Sequence, residues 1–325
     1  MAAVAAAALQ KALDIYETTL TLPWVGRALD LTTAIASTLV RAGSGTQVAR
    51  GLKKCKRPQK MLKIYEFEGC PFCRKVRETL TVLDLDCIVY PTPRETMKAY
   101  GVCKDSRFRP EVKKLGESLK FPFLVDENTN TKMYESEEIC KYLWTTYGSE
   151  AKAPLLYRLA LFSWWTKLYH ISLFLATLFR PLPRMGLLRT PSKAPKQPLE
   201  LWSFEGSPPC RLAREALCSL ELPYVLHNIA HGSKAKRVDF TSKYGERLSK
   251  TRKNLSSVAG EDIVKVPFLI DPNTKTEMFE SADIVKYLFD TYATGPTVKE
   301  SMADYTTAGA TDGHHTVKGA TTKQD

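Results

Sequence analysis

The chain has 325 residues, a formal net charge of +12 and 8 cysteines. This length allows two domains that bury their own cores without disulfide or metal staples. The cysteines are too few and too irregularly spaced for a secreted disulfide scaffold, which indicates a reducing intracellular compartment. Basic residues cluster at 50–63 and 234–253 without interleaved aromatic residues, so we expect no nucleic-acid partner. A solvated face is the simplest interpretation of these clusters, and attraction of an anionic ligand or membrane surface is the alternative.

Residues 1–60 are helical in character and form an N-terminal extension in this interpretation. Their Ala-rich start resembles a targeting segment, but Asp14, Glu17 and Asp30 are unusual for an acid-poor transit peptide. No clean secretory signal is present. The sequence therefore indicates a reducing compartment but does not identify which one.

Residues 61–150 form a first domain of short alternating elements. Runs of apolar and β-branched residues predict its strands, and apolar residues at helical spacing predict its helices. The order is βαβαββα, which places the domain in the α/β class. The predicted elements are a strand at 62–67, a helix with apolar residues at 76, 80 and 83, a strand at 87–90, a polar helical or loop region at 110–119, strands at 122–125 and 133–134, and a helix at 136–147.

A Cys-x-x-Cys pair, Cys70 and Cys73, stands where the first strand ends and the first helix begins. Free backbone N–H groups and the helix dipole stabilise a thiolate at a helix cap, and Cys73 one turn later is close enough to form a disulfide. A zinc site would need a second Cys/His pair at ligand spacing, and none is present, so we expect no metal. Structural buried thiols are the other alternative. A Cys-x-x-Cys pair at a strand-to-helix turn favours redox chemistry at Cys70 and Cys73.

Residues 151–198 form a linker that opens with an apolar, aromatic stretch at 155–179. The stretch is about long enough to cross a bilayer, but Lys167 at its middle costs roughly 3 kcal/mol on insertion scales. Two interpretations stay open. The stretch is a helix that spans or lies on a membrane, or a buried helix packed between the copies or against the N-terminal helix.

The first domain recurs as a second copy at 199–295. The stretch 122–143 reappears at 267–288 with 14 of 22 positions identical, and 63–73 reappears at 200–210. Ser207 replaces the first cysteine and Cys210 aligns with Cys73, so this copy cannot run the same dithiol cycle. The polar, turn-rich remainder, 296–325, is predicted to be a disordered tail.

A dipeptide that ends in proline occurs at matching positions of the two copies. Phe121-Pro122 and Val266-Pro267 start a strand, where Pro removes a ladder hydrogen bond unless it has another role. A cis bond would turn the backbone of Phe121 toward the cysteines, and an ordinary trans Pro is the alternative.

Glu135-Ser136 and Glu280-Ser281 precede the last helix of each copy. The serine is a natural N-cap, which explains it fully. Alternatively, this helix start binds a substrate carboxylate and the glutamate receives an ammonium group.

Together these motifs resemble the N-terminal, thioredoxin-like domain of glutathione S-transferases and glutaredoxins, in a tandem arrangement similar to a plant and algal family. The resemblance implies a cis Pro122, a Phe121 backbone that pairs with glutathione, and a Glu135 and Ser136 pair that holds its γ-glutamyl end. It implies glutathione as co-substrate and a plastid or cytoplasmic location. The weaker second-copy equivalents are Ser207, Cys210, Val266, Pro267, Glu280 and Ser281.

The leading functional interpretation is a glutathione-linked thiol–disulfide oxidoreductase that acts on a disulfide of a protein or small molecule. Glutathione conjugation is an alternative, weakened because neither the linker nor the tail has room for the helical domain that builds the electrophile pocket in transferases. A non-catalytic glutathione-binding or scaffold protein, membrane-associated through 155–179, is the other alternative. The intact Cys70 and Cys73 pair favours the oxidoreductase.

Overall fold

The structure is a computed structural model that describes residues 23–95, 106–155, 157, 166–180, 186–251 and 264–294. The predicted tail at 296–325 lies outside these residues. The elements up to the end of the first copy are α1 (Pro23–Val40), β1 (Leu62–Glu66), α2 (Pro71–Val82), β2 (Cys87–Pro91), α3 (Arg109–Gly116), β3 (Phe123–Asp126), β4 (Thr131–Met133) and α4 (Ser136–Tyr147). They are followed by α5 (Thr166–Leu178), β5 (Leu199–Ser203), α6 (Pro208–Ser219), β6 (Tyr224–Asn228), α7 (Lys234–Thr251), β7 (Phe268–Asp271), β8 (Thr276–Phe279) and α8 (Ser281–Tyr292).

Each copy has the predicted order βαβαββα and is a thioredoxin-like α/β domain. In the first copy, β1 pairs in parallel with β2 and antiparallel with β3, and β3 pairs antiparallel with β4. The second copy repeats this pattern with β5 to β8. Helix α2 starts at Pro71, where a missing N–H removes no helical hydrogen bond and the fixed φ suits the first turn.

The two sheets join into one. β2 pairs antiparallel with β6, with Ile88 opposite Val225, and the resulting eight-stranded sheet has the order β4-β3-β1-β2-β6-β5-β7-β8. This pairing covers two strand edges that would otherwise expose unpaired backbone groups. The strands that lead into Cys70 and Ser207, β1 and β5, therefore lie on either side of the joint.

The apolar linker stretch contains helix α5, which packs against α1 and α2, while α1 also packs against α6. Ser37 on α1 donates a hydrogen bond from its hydroxyl to the Ala176 carbonyl on α5 at 2.7 Å. This contact agrees with packing against the N-terminal helix, one of the predicted alternatives, but α5 is not a buried helix, since Leu178 is 75% exposed. Within the described ranges, no helix combines the length and apolarity that a bilayer crossing requires.

The repeat extends to α1 and α5, because the arginine that follows each helix makes the same contact. Arg41 donates from Nε and Nη2 to the Glu78 carboxylate at 2.9 and 2.6 Å. Arg180 donates from the same atoms to Glu215 at the same two distances. Each arginine also reaches the opposite helix, Arg41 through the Ser172 hydroxyl and Arg180 through Thr33. The antiparallel pairing of the equivalent strands β2 and β6 relates the two domains by an approximate twofold axis. The matching contacts of Arg41 and Arg180 show that α1 and α5 follow the same relation.

Candidate functional site

Cys70 occupies the N-cap of α2, as the sequence predicted. Its backbone is extended, with φ −90° and ψ 121°, and its sulfur accepts a hydrogen bond from the Cys73 N–H at 3.3 Å. Burial alone would raise the pKa of the Cys70 thiol. Hydrogen bonds from the Cys73 side chain and from the backbone N–H groups of Cys73 and Phe72 outweigh burial, so the pKa of Cys70 lies below its ordinary value. Cys70 is therefore the thiol of the pair that ionises first.

Cys73 is the more protected thiol. Its side chain is 1% exposed, against 4% for Cys70. Burial, the hydrogen bond to Cys70 and the negative charge of Cys70 together raise the pKa of Cys73 well above its ordinary value. The two thiols thus differ in ionisation, with Cys70 suited to attack and Cys73 suited to hold a proton beside it.

The Phe121–Pro122 peptide bond is cis, as the resemblance implied, and so is Val266–Pro267. The Phe121 ring packs against the buried cluster that contains both Cys70 and Cys73. Arg109 lies over the same ring, with its guanidinium carbon 4.9 Å from the ring centre. The structure therefore brings together the cysteines and the segment before Pro122.

Glu135 and Ser136 lie at the start of α4, but the capping interpretation of Ser136 is wrong. The N-cap is Glu135, and its side chain makes no capping hydrogen bond. Glu135 has φ +64°, a left-handed value that strains a non-glycine residue, and Glu280 has φ +67° in the second copy. The Glu135 carboxylate is exposed and lies 3.7 Å from the Lys120 ammonium. Ser136 is nearly buried, and no described residue hydrogen-bonds its hydroxyl.

Lys75, which the sequence predicts only as positive charge near the cysteines, links the helix of the cysteines to the helix of Ser136. Its ammonium group forms an ion pair with Glu137 while its own side chain is buried. Glu137 directly follows Ser136 in the chain. The pair fixes the starts of α2 and α4 relative to each other.

A short segment of the linker, Gly186–Leu188, covers the cysteine site. The Gly186 carbonyl accepts hydrogen bonds from the Gly69 N–H at 3.4 Å and from the Cys218 thiol at 3.2 Å. Leu187 belongs to the same buried cluster as Cys70 and Cys73, and Leu188 packs against it. The segment is held in place because the Arg94 N–H donates to the Leu187 carbonyl at 2.7 Å.

The loop before each nucleophile position is fixed by an arginine of the other copy. Arg214 of the second copy donates to the Glu68 carboxylate at 3.1 and 3.2 Å, and Glu68 precedes Cys70 by two residues. Arg77 of the first copy donates to Glu205 at 2.9 Å, and Glu205 precedes Ser207 by two residues. Arg214 also lies 2.9 Å from Glu205. The four side chains are 1–2% exposed and form a buried cluster in which each guanidinium group contacts both carboxylates.

The charges of this cluster are strongly coupled. Burial would raise the pKa of Glu205, but Arg214, Arg77 and Arg74 outweigh it and lower that pKa to about 2. Glu66 has Arg77 as its one ion-pair partner among the residues that the structure describes, and burial raises the pKa of Glu66 to about 7. The sequence analysis missed this cluster, although Phe-Glu-Gly before both nucleophile positions and Arg77 and Arg214 at the same offset were a signal of it.

The second-copy site has the same frame with different chemistry. Ser207 is the N-cap of α6, and its oxygen accepts a hydrogen bond from the Cys210 N–H at 3.5 Å. Burial raises the pKa of Cys210. Glu280 forms an ion pair with Lys265. The site is covered by the N-terminal extension, because the Gly206 N–H donates to the Gly45 carbonyl at 3.0 Å.

Other chemistry is limited within the described part of the chain. No group of three or more His, Cys, Asp or Glu side chains there is arranged to hold a metal ion. The cysteines of the described ranges are all free thiols, and all are buried: Cys55, Cys70, Cys73, Cys87, Cys140, Cys210 and Cys218.

Comparison with known proteins agrees with this geometry. The family model described as "Glutathione S-transferase, N-terminal domain" matches residues 64–151 and again residues 201–297. A glutathione transferase from Bombyx mori is similar to this chain at 27% identity and a TM-score of 0.24, over 29% of this chain and 38% of that one. This chain thus spans well under half of that transferase, and the comparison with curated proteins finds no match. The two family matches tie the protein to glutathione-related function. The chain belongs to the glutathione S-transferase N-terminal domain family and carries that domain twice.

Proposed function

We propose that the protein is a glutathione-linked thiol–disulfide oxidoreductase in which Cys70 is the nucleophile. The observation that carries this proposal is the lowered pKa of Cys70 at the cap of α2, beside the segment before cis-Pro122. A thiolate is the attacking species in disulfide exchange, so a thiol that ionises readily at this position is suited to the reaction. The dithiol occurs in the first copy only, which assigns the chemistry to that copy.

The reaction proceeds in two exchanges. The Cys70 thiolate attacks the glutathione sulfur of a mixed disulfide, the Cys70–glutathione bond forms, and the substrate leaves as a thiolate that takes a proton. A second glutathione thiolate then attacks the glutathione sulfur of the new disulfide, which gives glutathione disulfide and the Cys70 thiolate. Alternatively, Cys73 loses its proton and attacks the Cys70 sulfur, which gives the Cys70–Cys73 disulfide and reduced glutathione, and two further glutathione molecules then reduce that disulfide to the dithiol and leave as glutathione disulfide. The high pKa of Cys73 favours resolution by glutathione, although the contribution of the Cys70 charge disappears once Cys70 is bonded.

Glutathione binding in this proposal uses the segment before Pro122 and the start of α4. Ser136 supplies a hydroxyl without a hydrogen bond among the described residues, and Glu135 supplies an exposed carboxylate for the glutathione ammonium. Since Leu187 and its neighbours cover Cys70, substrate reaches the thiol only when the Gly186–Leu188 segment moves. The proposal also requires a reducing compartment, plastid or cytoplasm, because it consumes glutathione.

The test is glutathione-dependent reduction of hydroxyethyl disulfide by the full chain. Cys70→Ser should abolish the activity, Cys73→Ser should retain part of it, and Cys55→Ser, a buried cysteine outside the site, should retain all of it. Conjugation of glutathione to an electrophile is measured on the same preparations, with Ser207→Ala added. Conjugation without reduction would replace the proposal with the transferase alternative. Activity in neither assay would leave the non-catalytic alternative.

A separate observation favours contact with an apolar surface. Helices α1 and α5 expose large apolar side chains, with Leu39 71% and Leu178 75% exposed. We propose that this face lies on a membrane surface without crossing the bilayer. Binding of the full chain to lipid vesicles should be lost in Leu39→Asp/Leu178→Asp, and equal binding by that variant would refute the idea.

A further inference from the structure

The two basic stretches of the sequence meet at one groove, although the residues of the first lie in the N-terminal extension and those of the second lie in the second copy. The groove has a volume of about 1300 Å³ and lies between the segment that follows α1 and the start of α7. Residues of the cysteine site do not line it. Six cationic side chains do: Arg50, Lys53, Lys54, Arg57, Lys234 and Lys236.

The acidic residues of the groove are already neutralised. Asp84 accepts hydrogen bonds from the Ser233 hydroxyl and lies 3.1 Å from the Lys236 ammonium. Asp86 lies 2.5 Å from the same ammonium and 3.1 Å from Nδ1 of His227. Lys236 therefore forms ion pairs with both carboxylates of the groove. These two carboxylates do not pair with the other five cations.

The five remaining cations face solvent. Among the described residues, no carboxylate pairs with any of them, and the Arg57 guanidinium donates only to the Leu83 carbonyl, at 2.6 Å. Helix α7 adds the positive end of its dipole, since its first turn lines the groove and contains no acidic residue. Like charges held along a concave, low-dielectric wall create a positive potential that concentrates anions. Those cations are Arg50, Lys53, Lys54, Arg57 and Lys234.

The turn of the second copy that matches Asp84 in the repeat, at Glu221, is contacted by an arginine of the first copy. There, Arg107 reaches across the joint and donates to the carbonyls of Leu220 and Glu221 at 2.9 and 2.8 Å. It also bonds to Ser192 of the linker.

The shape and the charge distribution identify the class of ligand. The volume of about 1300 Å³ exceeds the roughly 300–1,000 Å³ of small-molecule pockets. The five unpaired cations belong to two separate walls, four to residues 50–57 and one, Lys234, to the start of α7. Met61 also lines the groove and is an apolar side chain that is 41% exposed. An extended chain that carries several separate negative charges and some apolar side chains matches this pattern better than a single phosphate does.

We propose that this groove binds an acidic polypeptide segment of a partner protein. The carboxylates of the segment would pair with Lys53 and Lys54 on one wall and Lys234 on the other, and its apolar side chains would cover Met61. This interaction is independent of the redox chemistry of Cys70.

The experiment measures binding of a fluorescent peptide rich in Asp, Glu and Leu to the full chain by anisotropy. A peptide with Asn and Gln in place of the acidic residues should bind at least about tenfold more weakly. Added salt should lower the affinity of the protein for the acidic peptide. Lys53→Glu/Lys54→Glu and Lys234→Glu should each reduce affinity about tenfold or more. Lys113→Glu/Lys114→Glu, an exposed pair on α3 that does not line the groove, should keep the original affinity.

Three results would overturn the proposal. The acidic peptide fails to bind the full chain, or the α3 variant loses as much affinity as the groove variants. The third is that pyrophosphate or single-stranded DNA displaces the peptide at lower concentration than an unlabelled acidic peptide does. All variants concern exposed side chains, so an unchanged circular dichroism spectrum and melting temperature verify that each one is folded.

Discussion

Replacing Arg214 tests whether the second copy holds the nucleophile loop of the first. The guanidinium of Arg214 donates to Glu68 at 3.1 and 3.2 Å, lies 2.9 Å from Glu205 and donates to the Ser203 hydroxyl at 3.1 Å. Arg214→Met removes all of these contacts and leaves a buried carboxylate without its main partner. Breaking a buried ion pair in this way costs about 3–5 kcal/mol. We expect the lower end, because Arg77 remains 3.4 Å from Glu68.

The assay is urea denaturation of the full chain, combined with the alkylation rate of Cys70 under native conditions. Alkylation should accelerate in Arg214→Met, since a thiol that is 4% exposed reacts through local opening. Arg214→Met/Glu68→Gln should recover about half of the lost stability, because the uncompensated charge is gone. Arg50→Met, an exposed arginine, should change stability by less than about 0.5 kcal/mol. A loss below about 1 kcal/mol in Arg214→Met would refute the reasoning.

Two further predictions concern the linker and the joint between the copies. Gly186→Ala should lower the melting temperature, because Gly186 has φ +61° and an added Cβ would lie 2.8 Å from the Glu68 Cβ; an unchanged melting curve would contradict this. Burial lowers the pKa of His227, but hydrogen bonds to Asp86 and Glu200 outweigh it and raise that pKa to about 9. The stability from protonated His227 is therefore complete below about pH 6.5 and is lost as pH rises through about 9, so denaturation of His227→Gln should depend less on pH in that window than denaturation of the original protein.

The sequence predicted the fold well because its signals are local. The order βαβαββα follows from alternating runs of strand and helix residues, and the cap at Cys70 follows from Pro71 in the first helical turn. The repeat supports both predictions, because the same residue pattern at matching positions of the two copies indicates the same structural element in each. Ser136 was misjudged because a serine before an apolar run suits a cap, whereas the backbone turns one residue earlier, at Glu135.

The contacts between the copies could not be read from local patterns. Glu68 and Arg214 are 146 positions apart, and charged residues on a predicted helix face normally point to solvent. Their burial depends on the pairing of β2 with β6, which no turn or periodicity encodes. The cover over Cys70 depends on the same docking, because Gly186 meets Glu68 and Cys218 at once. The sequence shows that Arg41 and Arg180 follow similar apolar stretches. It does not show that they contact Glu78 and Glu215, because these contacts depend on how the helices pack.

The joint between the copies leads to a final prediction about the first copy alone. Residues 23–155 on their own would expose the edge of β2 and would leave Glu68 and Arg77 with only each other and Glu66 as charged partners. An open strand edge is a template for pairing, and a second identical copy offers the same antiparallel edge that β6 supplies. We therefore expect this fragment to form a dimer through β2, in which Arg77 of each copy faces the Glu68 of the other. Sedimentation equilibrium measures its mass, which should be that of two fragments. A fragment that is a folded monomer would contradict this expectation and would show that the first domain folds without a partner on the edge of β2.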